Sequence, residues 1–215
     1  MSQPGSSARD EFVTAMAVSR ETLERLEQFV ALLNKWQRRI NLVAASTLAE
    51  IWRRHILDSA QLVLHFPARV GVLTDLGSGA GFPGMILAIL RSCETHLVEA
   101  DQRKCAFLHE AARICAPGVQ IHEGRAEALA PWPSDIVTAR AVAPLETLIG
   151  LATPFLRPNH GACLFLKGAG AERELTAAHK RWNMAIESHA SLSNPEGVVL
   201  KISHIRRVQP ASDHR

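Results

Sequence analysis

The segment Asp75-Leu76-Gly77-Ser78-Gly79-Ala80-Gly81 constrains the fold of this chain more than any other feature. It follows a short apolar run at 70–76 and precedes an apolar stretch of helical texture at 84–91. A glycine turn between a strand and a helix is where a doubly wound α/β fold holds its ligand, at the carboxyl edge of the sheet. Glycines let the backbone approach a ligand closely, and the following helix N-terminus offers unpaired N–H groups to a polar or anionic part of it. The spacing narrows the ligand further. The glycines run G-x-G-x-G, whereas the dinucleotide fingerprint needs its third glycine one place later, where Phe82 stands; nor does a Gly-Lys-Ser/Thr ending mark a P-loop. Nicotinamide or flavin dinucleotides and nucleoside triphosphate cleavage are disfavoured. A tight turn with no ligand is the competing reading.

The chain around this turn alternates in the same grammar. Apolar runs at 70–76, 95–99, 119–122, 135–139 and 162–166 read as strands, and stretches at 84–91, 102–115, 144–156 and 171–184 read as helices. Segments 185–191 and 197–207, separated by Asn194-Pro195-Glu196-Gly197, read as a closing antiparallel hairpin. Upstream, Leu23, Leu26, Val30, Leu33, Trp36 and Ile40 recur at helical steps with Lys35, Arg38 and Arg39 opposite, and Trp52, Ile56, Ser59 and Val63 repeat the period until Pro67. The expected organisation is a flexible terminus at 1–19, a helical extension at 20–67, a Rossmann-like domain at 68–208 and a flexible tail at 209–215.

Composition sets outer bounds. A chain of 215 residues with 47% hydrophobic content can bury one good core, and a formal charge of +3 is compatible with a phosphate-rich partner without requiring one. Cys93, Cys105, Cys115 and Cys163 form no C-x-x-C pair and read as buried, reduced thiols, with no metal site expected. Segment 1–11 is polar and resembles a frayed terminus rather than a signal peptide, and no apolar run reaches membrane-spanning length. A soluble, cytoplasmic, monomeric protein is expected.

Glu99 ends the second run, 22 residues after Gly77, where an acid accepts hydrogen bonds from ligand ribose hydroxyls. Alone, it could equally be a solvated carboxylate at a strand end. Asp75 either holds the loop or meets a ligand ammonium.

These residues resemble the bacterial small-subunit ribosomal RNA methyltransferase G family, also called glucose-inhibited division protein B. The resemblance is carried by Asn41-Leu42, His55-Ile56-Leu57-Asp58-Ser59, the glycine loop ending in Gly81-Phe82-Pro83-Gly84, Lys104 with Phe107-Leu108, Gly124-Arg125-Ala126-Glu127, Arg140-Ala141 and Leu166-Lys167-Gly168. It implies a class I methyltransferase fold: a doubly wound, mostly parallel seven-stranded sheet with an N-terminal helical extension. It also implies methyl transfer from S-adenosylmethionine to N7 of one guanosine in the decoding region of 16S rRNA, free or in the assembled subunit. Carried over, it places Gly77, Gly79 and Phe82 against the cofactor, and Asp75, Gly81, Glu99 and Arg140 complete the expected cofactor-binding set. Ala126 and Glu127 would lie beside the adenine, and Arg140, with Arg125, at the reaction site. The chain departs from the pattern at Glu196-Gly197, where relatives usually carry an Arg-His pair.

A guanine N7 lone pair needs no proton removed, so orientation is the enzyme's task. Arg140, always charged, can donate to guanine O6 or a phosphate, or else form a structural ion pair with Glu127 or Asp135. The stretch Thr138-Ala139-Arg140-Ala141-Val142 offers neither the cysteine nucleophile of cytosine-C5 transfer nor the Asn/Asp-Pro-Pro-aromatic loop of amino-group transfer. RNA contact is expected from Lys35, Arg38, Arg39, Arg53, Arg54 and Arg125. For Lys35, Arg38 and Arg39 the alternative is a solvated helix face. His55 and Asp58 share a helix face and suggest an internal hydrogen bond. Trp36 and Trp52 read as core, and Trp132 reads as base-stacking or loop packing. Two other functions compete: the same fold acting on a protein or small molecule, and a non-catalytic cofactor-binding regulator.

Overall fold

The computed structural model describes residues 7–208. Helix α1 (Ala8–Met16) starts at Ser7, whose hydroxyl accepts from the Asp10 N–H, and α2 (Arg20–Gln37) starts at Ser19 in the same way. A 3-10 turn at Ala45–Glu50 leads to one helical rod that changes pitch along its length. It is π-helical over Trp52–Leu57, α-helical over Asp58–Ala60 (α3) and 3-10 over Gln61–His65.

The sheet comprises β1 (Val72–Leu76), β2 (Glu94–Glu99), β3 (Gln120–Glu123), β4 (Ile136–Arg140), β5 (Ala162–Lys167), β6 (Trp182–Ala190) and β7 (Val198–Arg207). Helices α4 (Gly84–Leu90), α5 (Gln102–Cys115), α6 (Leu145–Ala152) and α7 (Ala171–Ala178) link the strands. Its order is β3-β2-β1-β4-β5-β7-β6, with β1 to β5 parallel and β7 antiparallel to both neighbours. The expected mostly parallel seven-stranded sheet with its closing hairpin is therefore present. Strand order reverses between β1 and β4, so the crevice beyond their carboxyl ends is the place for a ligand.

Buried side chains flank the sheet on both faces. Phe12, Leu26, Phe29 and Leu33 of the N-terminal helices share one core with Met85, Ile86, Phe107 and Leu108 of α4 and α5. Leu145, Leu148, Ile149 and Phe155 pack with Val137, Phe165 and Leu200 on the sheet. Leu62 packs with Leu73, Ile136, Leu164 and Val199.

Three expected boundaries are corrected. The segment expected to be flexible up to residue 19 contains α1, held because Phe12 is wholly buried against Trp52 at 5.5 Å between ring centroids. The helix expected to reach 184 stops at Ala178, since Trp182, Met184 and Ile186 alternate with exposed neighbours and join the sheet as an edge strand. The stretch expected to be helical over 144–156 is α-helical only over Leu145–Ala152 and closes as a 3-10 turn, Thr153–Phe155, with Pro154 in its first turn. The tail expected to be flexible at 209–215 lies outside the described residues, as do positions 1–6. All four cysteines are free; Cys105, Cys115 and Cys163 are buried, but Cys93 is half-buried rather than enclosed.

Candidate active site

The loop after β1 is shaped to carry a ligand over its backbone. Gly77 and Gly79 adopt φ values of +64° and +57°, which side chains with a Cβ rarely tolerate. A Cβ on Gly79 would find only the Gly77 carbonyl, 3.8 Å away, so space above the loop is open there. At Gly77 it would stand 2.6 Å from Val142, which leans over the loop from the end of β4. Glu99 ends β2 beside this loop. Its Oε2 accepts from the Gly79 N–H at 2.7 Å and its Oε1 from the Asp101 N–H at 2.8 Å. Each oxygen keeps lone-pair capacity for a further donor such as a ribose hydroxyl. A loop open above Gly79, with an oriented carboxylate at its lip, fits a nucleoside-bearing cofactor.

Other loop residues face inward. Asp75 is fully buried; it accepts from Thr138 Oγ1 at 2.8 Å and the Gly84 N–H at 3.2 Å, joining β1, β4 and the start of α4. Desolvation pushes its pKa up to about 6, against the opposing pull of these hydrogen bonds. Such enclosure gives Asp75 the loop-holding role, not contact with an ammonium. A Cβ on Gly81 would meet Met85, Leu108 and Phe29, so glycine there serves packing. Of the helix N–H groups expected to be unpaired, those of Gly84, Met85 and Leu87 instead go to Asp75, the Gly81 carbonyl and the Pro83 carbonyl.

Arg140, at the end of β4, is held by the N-terminal rod. Its Nη1 donates to Asp58 Oδ2 at 3.3 Å and to the Arg54 carbonyl at 3.2 Å, and its Nη2 donates to His55 Nδ1 at 3.0 Å. Its guanidinium carbon lies 5.1 Å from the centroid of Phe82, whose ring is stacked on His55 at 4.9 Å. His55 Nε2 meets Thr47 Oγ1 at 2.8 Å, while that hydroxyl donates to the Ala44 carbonyl. The pattern assigns a neutral imidazole with its proton on Nε2. Burial, then the charges of Arg140 and Arg54, lower the His55 pKa to about 4. The ion-pair partner of Arg140 is thus Asp58, and neither Glu127 nor Asp135: Asp135 pairs with Arg157 at 2.7 Å. His55 and Asp58 bond to Arg140 rather than to each other.

Beside Arg140 opens a cavity of about 660 Å³, bordered by the 141–144 loop, the end of β5 and the β6–β7 turn. Lys167 Nζ bonds to Glu174 Oε2 at 2.8 Å and to the Ala143 carbonyl at 3.1 Å, and Glu174 Oε2 also accepts from the Leu145 N–H at 2.7 Å. These bonds fasten the 141–144 loop. Asp58 Oδ1 accepts from Ser193 at 2.6 Å and from Gln61 at 3.1 Å, tying the β6–β7 turn to the rod. The Asp58–Ser193 bond joins residues 135 apart in sequence, too far for any local motif to announce it, whereas the Lys167–Glu174 clasp spans only seven residues across the turn from β5 into α7.

Arg125, Ala126 and Glu127 follow β3 at the same edge of the sheet, Arg125 and Glu127 exposed and Ala126 half-buried. Arg125 lies three strands from Arg140, so the two expected reaction-site arginines are not brought together. Lys35, Arg38 and Arg39 are exposed at the end of α2; Arg53 and Arg54 instead pair with Glu11 at 3.6 Å and Glu50 at 3.9 Å. Trp132 is half-buried: it stacks on His122 at 4.3 Å and donates to Thr74 Oγ1 at 2.8 Å. Among the described residues no cluster of His, Cys, Asp or Glu could hold a metal ion, and no helix is long and apolar enough to cross a membrane.

The model of a family described as rRNA small subunit methyltransferase G matches residues 22–200. Ribosomal RNA small subunit methyltransferase G of Rhodospirillum rubrum is 54% identical over 196 residues, covering 91% of this chain and 97% of the relative. Its counterpart in Paramagnetospirillum magneticum is 52% identical over 201 residues, covering 92% and 96%. Among solved structures, a ribosomal protein L11 methylase from Lactobacillus delbrueckii subsp. bulgaricus superposes with a TM-score of 0.57 at 14% identity, over 67% of this chain and 75% of that one, a likeness of fold.

Proposed function

The chain belongs to the rRNA small subunit methyltransferase G family, and from that premise we propose that it methylates N7 of one guanosine in the decoding region of 16S rRNA. Its cofactor is S-adenosylmethionine, which supplies an electrophilic methyl group on a sulfonium. The loop from Gly77 to Gly79, open above Gly79, cradles it, Glu99 is positioned for its ribose, and Ala126 and Glu127 lie at the same edge for its adenine.

The acceptor belongs in the cavity beside Arg140. The observation that carries the N7 reading is that its acidic groups are already engaged. Asp58 serves Arg140, Ser193 and Gln61, and Glu174 serves Lys167 and the Leu145 N–H. Neighbouring His55 accepts from Arg140 and its pKa is near 4. Each of these carboxylates is paired with a cation, which suits an acceptor whose lone pair needs no proton removed and leaves alignment as the source of rate. The guanidinium has five N–H groups and three are used by the rod, so two remain for guanine O6 or a phosphate.

The test is to incubate the protein with methyl-labelled cofactor and small subunits lacking the N7-methylguanosine, then map label by borohydride reduction and aniline cleavage. Label at one decoding-region guanosine is expected. Label elsewhere, or on protein, overturns the acceptor assignment; Arg140→Ala that keeps both cofactor affinity and full methylation removes Arg140 from the reaction site.

A further inference from the structure

We propose that the cleft between the end of α2 and the start of α5 is a phosphodiester-binding groove that receives the RNA strand beside the glycine cradle. The inference rests on rRNA being the substrate. The cleft, about 400 Å³, is lined by Arg38 and Arg39 on one side and Arg103 and Lys104 on the other.

What marks the groove is that it gathers four cations in one cleft, most of them without a carboxylate partner. Arg9, Arg157 and Arg181 each meet a carboxylate at 2.9 Å or less. Arg38, Arg39 and Lys104 have no side-chain hydrogen bond or ion pair among the described residues. The sole carboxylate in the cleft is Asp101, which is occupied in capping α5 through the Arg103 and Lys104 N–H groups and lies 3.6 Å from the Arg103 guanidinium. Four cations gathered around one engaged carboxylate make a field that favours an anion, and a chain of phosphates supplies several at once.

The two walls are also held in register. Gln37 accepts from the Leu42 and Val43 N–H groups at 3.0 Å each and donates to the Val43 carbonyl at 2.8 Å, locking the turn after α2. Trp36 Nε1 donates to Glu110 Oε2 at 2.8 Å, and its ring packs on Phe107 at 5.9 Å, fixing α2 to α5. The floor of the cleft leads directly to the site, because the Asp101 N–H binds Glu99, whose other oxygen holds Gly79. A strand in this groove lies along the same carboxyl edge of the sheet as Arg140. Arg53 and Arg54, paired elsewhere, are not part of it.

The experiment compares wild type, Arg39→Gln/Lys104→Gln and the charge-keeping Arg39→Lys/Lys104→Arg. It measures binding to naked small-subunit rRNA across salt concentrations and S-adenosylmethionine affinity by calorimetry. Each lost phosphate contact lowers the magnitude of the log K against log salt slope by about 0.7–0.9, so the neutral variant is expected to lose roughly 1.5 in slope and about tenfold or more in RNA affinity at 0.1 M salt. The charge-keeping variant restores the slope, and cofactor affinity stays at the wild-type value in both. An unchanged slope in the neutral variant, while wild type still methylates rRNA, overturns the groove alone. Wild type that binds no rRNA overturns the substrate reading and the groove with it. A loss seen with assembled subunits but not with naked rRNA assigns the surface to a ribosomal protein and overturns the phosphate proposal.

Discussion

His55 can accept from Arg140 only while neutral, and its surroundings keep it so. Its pKa falls from 6.5 unfolded to about 4 folded, so the folded state binds the proton less tightly and its contribution to stability, complete above pH 6.5, is lost as pH falls from there toward 4. Asp75 works in the opposite sense: raised from 3.8 to about 6, it makes the protein less stable as pH rises through that interval. The two windows overlap, so the His55 share must be read by difference. His55→Gln keeps a side-chain oxygen and removes the titration; urea unfolding from pH 6.5 to 4 is expected to show a smaller acid-side loss than wild type, and identical pH profiles would contradict a neutral, buried His55. For Glu99, the expectation is that Glu99→Ala weakens S-adenosylmethionine binding by about 1.5–3 kcal/mol through hydrogen bonds lost from a charged acceptor. Unchanged affinity by calorimetry would exclude Glu99 as the ribose acceptor.

Among the elements, α1 shows how one side chain can decide whether a short polar segment is structured. Phe12 is wholly buried and packs on Trp52, and Phe12→Ala is expected to cost about 3–5 kcal/mol by urea unfolding. A cost below about 1 kcal/mol would mean that α1 is not anchored there. Sequence periodicity exposed α2 and α5 because each repeats an apolar face over several turns, but α1 presents one large aromatic residue in a polar context and left no such trace. Positions 182, 184 and 186 carry a strand's two-residue alternation, yet β6 lies at the edge with its side chains at most half-buried, so the signal is weak beside the helical pattern that precedes it. The change of pitch between 52 and 65 was invisible, since apolar spacing alone does not distinguish π, α and 3-10 turns at this length.

For the molecule as a whole, the glycine loop and Glu99 were legible because the cradle is local: a strand, a turn and the end of the next strand, each with its own residue pattern. The Arg140 cage was not. Asp58 and His55 stand 82 and 85 residues away in the chain, and Ser193 a further 135 beyond Asp58, so only the closing of the sheet over the N-terminal rod brings them together. Arg140 could be singled out from its place at the end of β4, but its carboxylate partner could not be chosen among the acids until the shared core of α2, α4 and α5 set where the rod lies. The order β5-β7-β6 has a consequence in time. A chain emerging from its N-terminus makes β5 long before β7, so β5 presents an open edge throughout the synthesis of α7 and β6. Over the same interval Asp58 has no Ser193 to bind. In order of synthesis, the residues of the glycine loop therefore precede those that complete the cavity beside Arg140, whose border at the β6–β7 turn is made later.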